Sequence, residues 1–269
     1  MKCLVSGATG FIGRPLCQQL AARGDTLIAL SRSGASLPDG LSTLSLDLAR
    51  GDVDKACLQD VEVVFHLAGI AHQQAPAADY EKLNVDASLR LARQAAAAGV
   101  RCFIFLSSVK AMGPAAGKTA RSEGDVSLPA DPYGLSKWRA ECALREEFEG
   151  SSMALVILRP ALVYGANAKG NLRLLANGVD RGLPRPPEGG ARSMVALPDL
   201  VELLCLLSLD APPGVHTWIV TDGMDYSTRQ VYDLLREAAG RGRGMGWLPR
   251  WGWRLGAMLR DRGHRHPGE

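Results

Sequence analysis

The sequence has no hydrophobic stretch approaching the ~20 residues of a membrane span. It passes from Met1 straight into an apolar run, without the pattern of a cleaved leader, so a cytoplasmic protein is expected. It has no Cys-x-x-Cys pair. The six cysteines, at 3, 17, 57, 102, 142 and 205, are scattered through mostly apolar settings, which favours buried thiols over disulfides or metal ligands. The five histidines lack ligand spacing, and no metal is expected; His264 and His266 fall in a polar tail. A formal net charge of +3 is too small to argue for nucleic acid. Much of the excess is local, because Arg241, Arg243, Arg250, Arg254, Arg260, Arg262 and Arg265 face only Asp261 and Glu269 near the end of the chain. The composition, 46% hydrophobic and 22% charged over 269 residues, is that of a globular protein with one sizeable core.

Against these absences stands a glycine-rich turn. Cys3-Leu4-Val5 is a short apolar run, followed by Ser6 and then Gly7-Ala8-Thr9-Gly10-Phe11-Ile12-Gly13. Phe11, Ile12, Leu16 and Leu20 carry helical spacing. Strand, glycine turn, helix is the context of a dinucleotide fingerprint. Gly7 would make the tight turn, Gly10 would admit the pyrophosphate and Gly13 would let the helix pack on the strand, with Thr9, Phe11 and Ile12 completing the cradle. Free N–H groups and the helix dipole would hold the phosphates. The second strand, Thr26-Leu27-Ile28-Ala29-Leu30, ends in Ser31-Arg32-Ser33. An acidic residue usually serves the NAD ribose at this place, and none lies between Leu27 and Leu37. Arg32, flanked by Ser31 and Ser33, suits a 2′-phosphate instead. NADP is the expected cofactor, with NAD the alternative; the bland reading of Arg32 is a solvated strand-end arginine.

Strand-like runs at Leu41–Asp47, Val61–Leu67, Arg101–Ser107 and Ala154–Arg159 alternate with helical patterns at Asp79–Gly99 and Tyr133–Phe148. Alternation of this kind predicts an α/β fold, a Rossmann doubly wound parallel sheet with helices on both faces. After Pro160 the pattern loosens. Gly165–Gly190 is rich in Gly, Pro and Asn around one short helix, Leu172–Arg181; then come a helix at Asp199–Leu209, a strand at His216–Val220 and a helix at Thr228–Gly240. The expected organisation is a dinucleotide-binding Rossmann domain over 1–164 and a small, mostly substrate-binding lobe over 165–269, with 191–209 returning to the Rossmann core.

Tyr133 and Lys137 stand four apart, on one face of a helix. A phenol has a free pKa of ~10, and a lysine one turn on can stabilise its anion and bond a nicotinamide ribose. Ser108, at the end of the fifth strand, can hold a substrate oxygen. With the glycine turn, the three predict hydride transfer with Tyr133 as acid and base.

These elements carry a resemblance. Gly7-x-x-Gly10-x-x-Gly13, Asp47-Leu48, Leu67-Ala68-Gly69, Asn84, Ser107-Ser108, Tyr133-x-x-x-Lys137 and Arg159-Pro160-x-x-x-Tyr164-Gly165 occur in the order found in the extended branch of the short-chain dehydrogenase/reductase superfamily. The chain resembles its UDP-hexose and UDP-N-acetylhexosamine 4-epimerases and 4-keto-sugar reductases of bacterial surface-polysaccharide synthesis. The resemblance implies that Asp47 and Leu48 border the adenine, that Leu67, Ala68, Gly69, Asn84 and Ser107 line the cofactor, and that Pro160 and Ala161 border the nicotinamide. It implies a nucleotide-sugar substrate whose diphosphate meets Asn171 and Arg192, with Ser108 on the sugar, and a possible homodimer through the helices at Asp79–Gly99 and Tyr133–Phe148. Val109 and Lys110 replace the Asp-Glu pair of a 4,6-dehydratase, which argues against dehydration. The other readings are an NADPH-dependent reductase of a non-sugar carbonyl and a non-catalytic dinucleotide sensor.

Overall fold

The protein's structure, a computed structural model, describes residues 1–38, 40–71, 75–115, 117, 119–168, 170–242 and 244. His264, His266 and most of the arginine-rich tail lie outside them. The chain begins β1 (Lys2–Ser6), α1 (Gly13–Ala22), β2 (Thr26–Ser31), β3 (Leu44–Ser45), α2 (Lys55–Leu58) and β4 (Val63–His66). Next come α3 (Ala77–Tyr80), a π-helical stretch (Glu81–Asp86), α4 (Ala87–Ala97), β5 (Cys102–Leu106) and a 3-10 turn (Val109–Met112). α5 (Pro132–Phe148), β6 (Ala154–Pro160), β7 (Leu162–Tyr164), α6 (Asn171–Asp180) and β8 (Arg192–Ala196) follow. The last described elements are α7 (Leu197–Leu209), β9 (Val215–Val220), β10 (Asp225–Tyr226) and α8 (Thr228–Ala238).

Seven strands pair in the order β3-β2-β1-β4-β5-β6-β9, every pairing parallel. Successive side chains of a strand face opposite sides of a sheet, and the two sides bury different helices. Cys3 and Val5 of β1 join Leu16, Cys17 and Leu20 of α1 and Leu200 and Leu204 of α7. Leu4 joins Leu91 of α4 and Ala140 and Leu144 of α5. Strands covered on both faces read as unbroken apolar runs, as β5 and β6 do. Each leucine fully buried in these layers stabilises the fold by roughly 1.5–3 kcal/mol. The fold is the doubly wound Rossmann sheet that the alternation predicts.

Two elements differ from the pattern in the sequence. The apolar run at 41–47 pairs only at Leu44 and Ser45, because β3 is an edge strand with one neighbour, and Leu44 is half exposed. The long alanine-rich helix is interrupted by the π-helical stretch, which contains Asn84. The Asn84 amide clamps the backbone of Ile70, accepting from its N–H at 2.8 Å and donating to its carbonyl at 3.2 Å. A widened turn fixed by a polar contact of this kind is a common mark of functional sites.

The chain forms two compact units. The first comprises Met1–Gly165 and Val195–Asp222 and contains the whole seven-stranded sheet. The second comprises Ala166–Met194 and the described residues from Gly223 onward. Within the second, β8 and β10 pair antiparallel, with Arg192 opposite Tyr226, and α8 starts in a capping box of Ser227 and Gln230. Tyr232 is fully buried there and donates its hydroxyl to the Leu183 carbonyl at 2.6 Å.

Candidate active site

The chain lays down β1, β2 and β3 outward and then returns to place β4 against the other side of β1. A crevice opens beyond the carboxyl ends of the strands at such a switch point. Gly7, directly after β1, has φ +72°, and a Cβ there would sit 2.8 Å from the Ala68 nitrogen. A Cβ on Gly10 would lie 3.0 Å from the Gly7 carbonyl oxygen, and one on Gly13 only 2.2 Å from it. Gly7 and Gly13 therefore require glycine for steric reasons, and Gly10 leaves little room for a side chain. The Gly10 N–H donates to the Gly7 carbonyl at 2.9 Å, and Arg14 Nε donates to the Thr9 carbonyl at 2.9 Å. Ile12 is the N-cap of α1 and provides no side-chain cap, so the helix start turns backbone donors outward with Thr9, Phe11 and Ile12 between the glycines. This cradle fits a dinucleotide pyrophosphate.

Ser6 and His66, the last residues of β1 and β4, are register partners. His66 Nδ1 meets Ser6 Oγ at 2.6 Å and Nε2 meets Ser88 Oγ at 2.8 Å. Ser88 donates on to the Asn84 carbonyl at 2.7 Å, while Ser6 Oγ accepts the Ala68 N–H at 3.3 Å. The ring is buried and stacks on Phe105 at 5.8 Å. Burial, aided by the positive charge of Lys137, holds its pKa down at about 3. His66 is thus a neutral strap joining the glycine turn, the Leu67-Ala68-Gly69 segment and the π-helical stretch.

On the next strand, Ser108 follows β5 and caps the 3-10 turn, its Oγ accepting from the Lys110 N–H at 3.2 Å. α5 starts on Asp131, whose carboxylate accepts the Gly134 N–H at 3.0 Å, with Pro132 in the first turn. That start places Tyr133 in the first turn and Lys137 one turn later. The structure brings Ser108 and Tyr133 together, with Lys137 one turn on: the Ser108 hydroxyl lies close enough to the Tyr133 phenol to lower its pKa. Lys137 is buried, donates to the Leu106 carbonyl at 2.8 Å and lies 4.5 Å over the Phe105 ring. It is also close to the cofactor wall, 3.4 Å from where a Cβ on Gly69 would stand. Burial lowers its pKa to about 8, with Glu141 opposing the shift. Burial raises the Tyr133 phenol to about 12, partly offset by the nearby Ser108 hydroxyl. The expectation that Lys137 draws the phenol toward neutrality is therefore not met in the free protein: the ammonium is engaged by a backbone carbonyl and desolvation dominates.

Among the other expected cofactor contacts, three side chains are engaged by the protein. The Ser31 hydroxyl meets Thr43 at 2.7 Å and accepts the Gly34 N–H at 3.0 Å. Asn84 also donates to the Ser136 hydroxyl at 2.9 Å, and Ser107 donates to Glu141 at 2.5 Å. All three are buried, so backbone is what these positions leave to a cofactor. Arg32 is exposed just beyond β2 and makes no ion pair among the described residues. Asp47 accepts from the Ala49 N–H at 3.1 Å, and Leu48 is buried beside it. Pro160 ends β6, and the Ala161 N–H donates to the Val220 carbonyl at 2.9 Å. Arg192 is exposed at the start of β8, in the second unit; Asn171 opens α6 in the same unit, and its side chain lies outside the described residues.

Sequence reasoning passed over Glu141. It is fully buried on α5, accepting from Ser107, from Arg159 through Nε at 3.0 Å and Nη2 at 2.7 Å, and from Arg145 at 2.7 Å. The signal was present: Tyr133, Lys137, Glu141 and Arg145 repeat at four-residue spacing along one helix stripe.

A parallel doubly wound sheet with a glycine cradle at its switch point, and a Ser-Tyr-Lys group one strand away, defines an NAD(P)-dependent enzyme of the extended short-chain dehydrogenase/reductase type. The chain matches the NAD dependent epimerase/dehydratase family over residues 3–189 and belongs to that family. It is 34% identical over 248 residues to a UDP-glucose 4-epimerase of Vibrio cholerae, covering 88% of this chain and 74% of the relative. It is 29% identical over 255 residues to a dTDP-6-deoxy-L-talose 4-dehydrogenase (NAD(P)(+)) of Kitasatospora kifunensis, covering 89% and 79%. Among solved structures it resembles MoeE5 in complex with UDP-glucose and NAD, at TM-score 0.76 and 28% identity over 91% of this chain and 86% of that one.

Proposed function

We propose that the protein is a nucleotide-sugar enzyme acting at C4 of a UDP-hexose or UDP-N-acetylhexosamine, by 4-epimerisation or 4-keto reduction. The observation that carries this reading is the Ser108 hydroxyl placed beside the Tyr133 phenol, with buried Lys137 one turn on. A relative named as a UDP-glucose 4-epimerase and a similar structure holding UDP-glucose and NAD support the substrate class.

A bound nicotinamide would supply the hydride chemistry at C4. The C4 oxygen of the sugar would meet Tyr133 and Ser108. In oxidation Tyr133 receives the C4 hydroxyl proton as the hydride leaves carbon; in reduction it returns a proton to the carbonyl oxygen. Ser108 holds that oxygen and polarises the C–O bond. Lys137 keeps positive charge near the phenol and can bond the ribose. With its pKa at about 12, Tyr133 is protonated at neutral pH in the free protein and is set to give a proton first. Arg32 favours ketone reduction through its fit to NADP. The names of the relatives favour epimerisation. Asn171 and Arg192 would hold the diphosphate, a bidentate role that a guanidinium suits. A sensor would have no need of Ser108, Tyr133 and Lys137 in this arrangement.

Denaturing the purified protein and identifying any released dinucleotide tests the reading, followed by assays with UDP-glucose and with NADPH plus UDP-4-keto-6-deoxy-N-acetylglucosamine. Bound NAD with interconversion of UDP-glucose and UDP-galactose identifies an epimerase. NADPH oxidation that needs the keto sugar identifies a reductase. Inertness toward both, with dinucleotide bound, defeats the C4 assignment.

A further inference from the structure

Three segments that the proposed chemistry requires are tied to one buried carboxylate. Glu141 holds the end of β5 through the Ser107 hydroxyl, and the next residue is Ser108. It lies on α5, one turn beyond Lys137 and two beyond Tyr133. It holds the end of β6 through a two-nitrogen contact with Arg159, which directly precedes Pro160 and Ala161. Arg159 is itself 1% exposed and reaches further. Its Nη1 donates to the Glu123 carbonyl at 2.8 Å, and the Glu123 carboxylate accepts the Ile219 N–H of β9 at 2.9 Å. The loop between Ser108 and Tyr133 is thereby fastened to the same cluster.

Stability does not account for this arrangement. Two buried ions lose their hydration, and replacing such a pair with apolar side chains of similar volume is often neutral or stabilising. What an ion pair with several directed bonds supplies, and an apolar patch does not, is fixed relative position. Reaction geometry is sensitive to position: a displacement of about 1 Å can lower turnover by ~10²-fold.

We propose that Glu141 is a positioning residue for hydride and proton transfer, setting the Ser108 hydroxyl and the Pro160-Ala161 segment against Tyr133 and Lys137 through its bonds to Ser107 and Arg159. The assignment rests on the C4 reading above for its chemistry, but not for its geometry.

The test uses the full chain and three variants: Ser107→Ala, which removes one small link; Glu141→Gln; and Glu141→Leu with Arg159→Met, which removes the buried pair and leaves only Arg145, a side chain that reaches solvent, without its partner. Thermal melting, affinity for NADH, the emission spectrum of bound NADH, and kcat and KM on the active sugar substrate are measured for each. Glu141→Gln is expected to melt lower, since it leaves Arg159 unbalanced. Ser107→Ala and the double variant are expected to melt close to the wild type and to bind NADH within about threefold. Turnover is expected to fall by ~10-fold for Ser107→Ala and ~10²-fold for the double variant at nearly unchanged KM, with altered NADH emission in both. Wild-type kcat and wild-type NADH emission in a folded double variant, or in Ser107→Ala if the double variant does not fold, would overturn the proposal. If the wild type binds NADH but turns over no UDP-sugar, the C4 reading fails, and NADH emission alone decides the positioning role: a changed spectrum supports it and an unchanged one ends it.

Discussion

Acid should destabilise this protein through one histidine. His66 is neutral, buried and bonded at both ring nitrogens, with its pKa at about 3, whereas in the unfolded chain it returns to ~6.5. The sign follows from proton counting. Above pH 6.5 neither state protonates the ring, and the stability associated with the neutral strap is fully present. Below it the unfolded chain binds a proton that the folded protein refuses, so stability falls as pH drops, until the folded ring also protonates near pH 3. Each pH unit in that window removes about 1.4 kcal/mol, which makes roughly 3 kcal/mol by pH 4.5 and of the order of 5 kcal/mol in full. Against a typical folding free energy of about 5–15 kcal/mol this is a large share.

The perturbation is His66→Gln, which keeps an amide able to reach Ser88 and removes the titration. Urea unfolding of wild type and variant is followed at pH 7.0 and pH 4.5. The carboxylates and the other histidines titrate in both proteins and cancel in the comparison. The variant is expected to be less stable at pH 7.0, having lost the Ser6 contact. Between the two pH values, however, the wild type should lose about 2–3 kcal/mol more than the variant, a midpoint difference of roughly 1 M at ordinary urea sensitivity. Equal losses would refute the reasoning, since they would mean that the ring is not held neutral by its surroundings.

Other outcomes follow from the same geometry. Tyr133→Phe should lower turnover by ~10²–10⁴-fold in steady-state assays with dinucleotide affinity nearly unchanged; full activity would exclude the phenol as the proton carrier. Gly13→Ala places a Cβ 2.2 Å from the Gly7 carbonyl oxygen. Overpacking of this kind typically destabilises by about 1–3 kcal/mol, and titration with NADH should show weakened dinucleotide binding; wild-type affinity would show that the turn relaxes freely. Arg32→Ala should weaken binding of NADP by ~10-fold or more relative to NAD, because a guanidinium paired with a phosphate is replaced by nothing. An unchanged ratio in a fluorescence titration would leave Arg32 a solvated surface arginine.

The sheet was legible because residues 3–5 of β1, all of β5 and residues 154–158 of β6 are buried on both faces and apolar, and because glycine follows β1 where the turn allows nothing larger. Strand order was a different matter. No local pattern places β4 against β1, yet that pairing is what sets Ser6 beside His66. The π-helical stretch was hidden for a similar reason: its period follows from the Asn84 clamp on Ile70, a contact across 14 residues.

The site shows the same division between what a segment encodes and what only tertiary packing decides. Helical spacing reveals that Tyr133, Lys137, Glu141 and Arg145 share a stripe, but it does not reveal what the stripe meets. It meets the ends of β5 and β6, so the carboxylate at its centre binds Ser107 and Arg159 from two other strands instead of facing water. The same packing reverses the simple inference about the phenol. Proximity in sequence suggested that Lys137 would lower the Tyr133 pKa. Burial of both groups, and the Leu106 carbonyl taking the ammonium, leave the phenol protonated and the lysine only weakly held in its charged form. A Tyr-Lys pair in this state has to be completed before it can accept a proton, because the charge that lowers the phenol must come with what binds beside it. Base catalysis by Tyr133 should therefore depend on dinucleotide being bound, whereas its capacity to donate a proton is already present in the free protein.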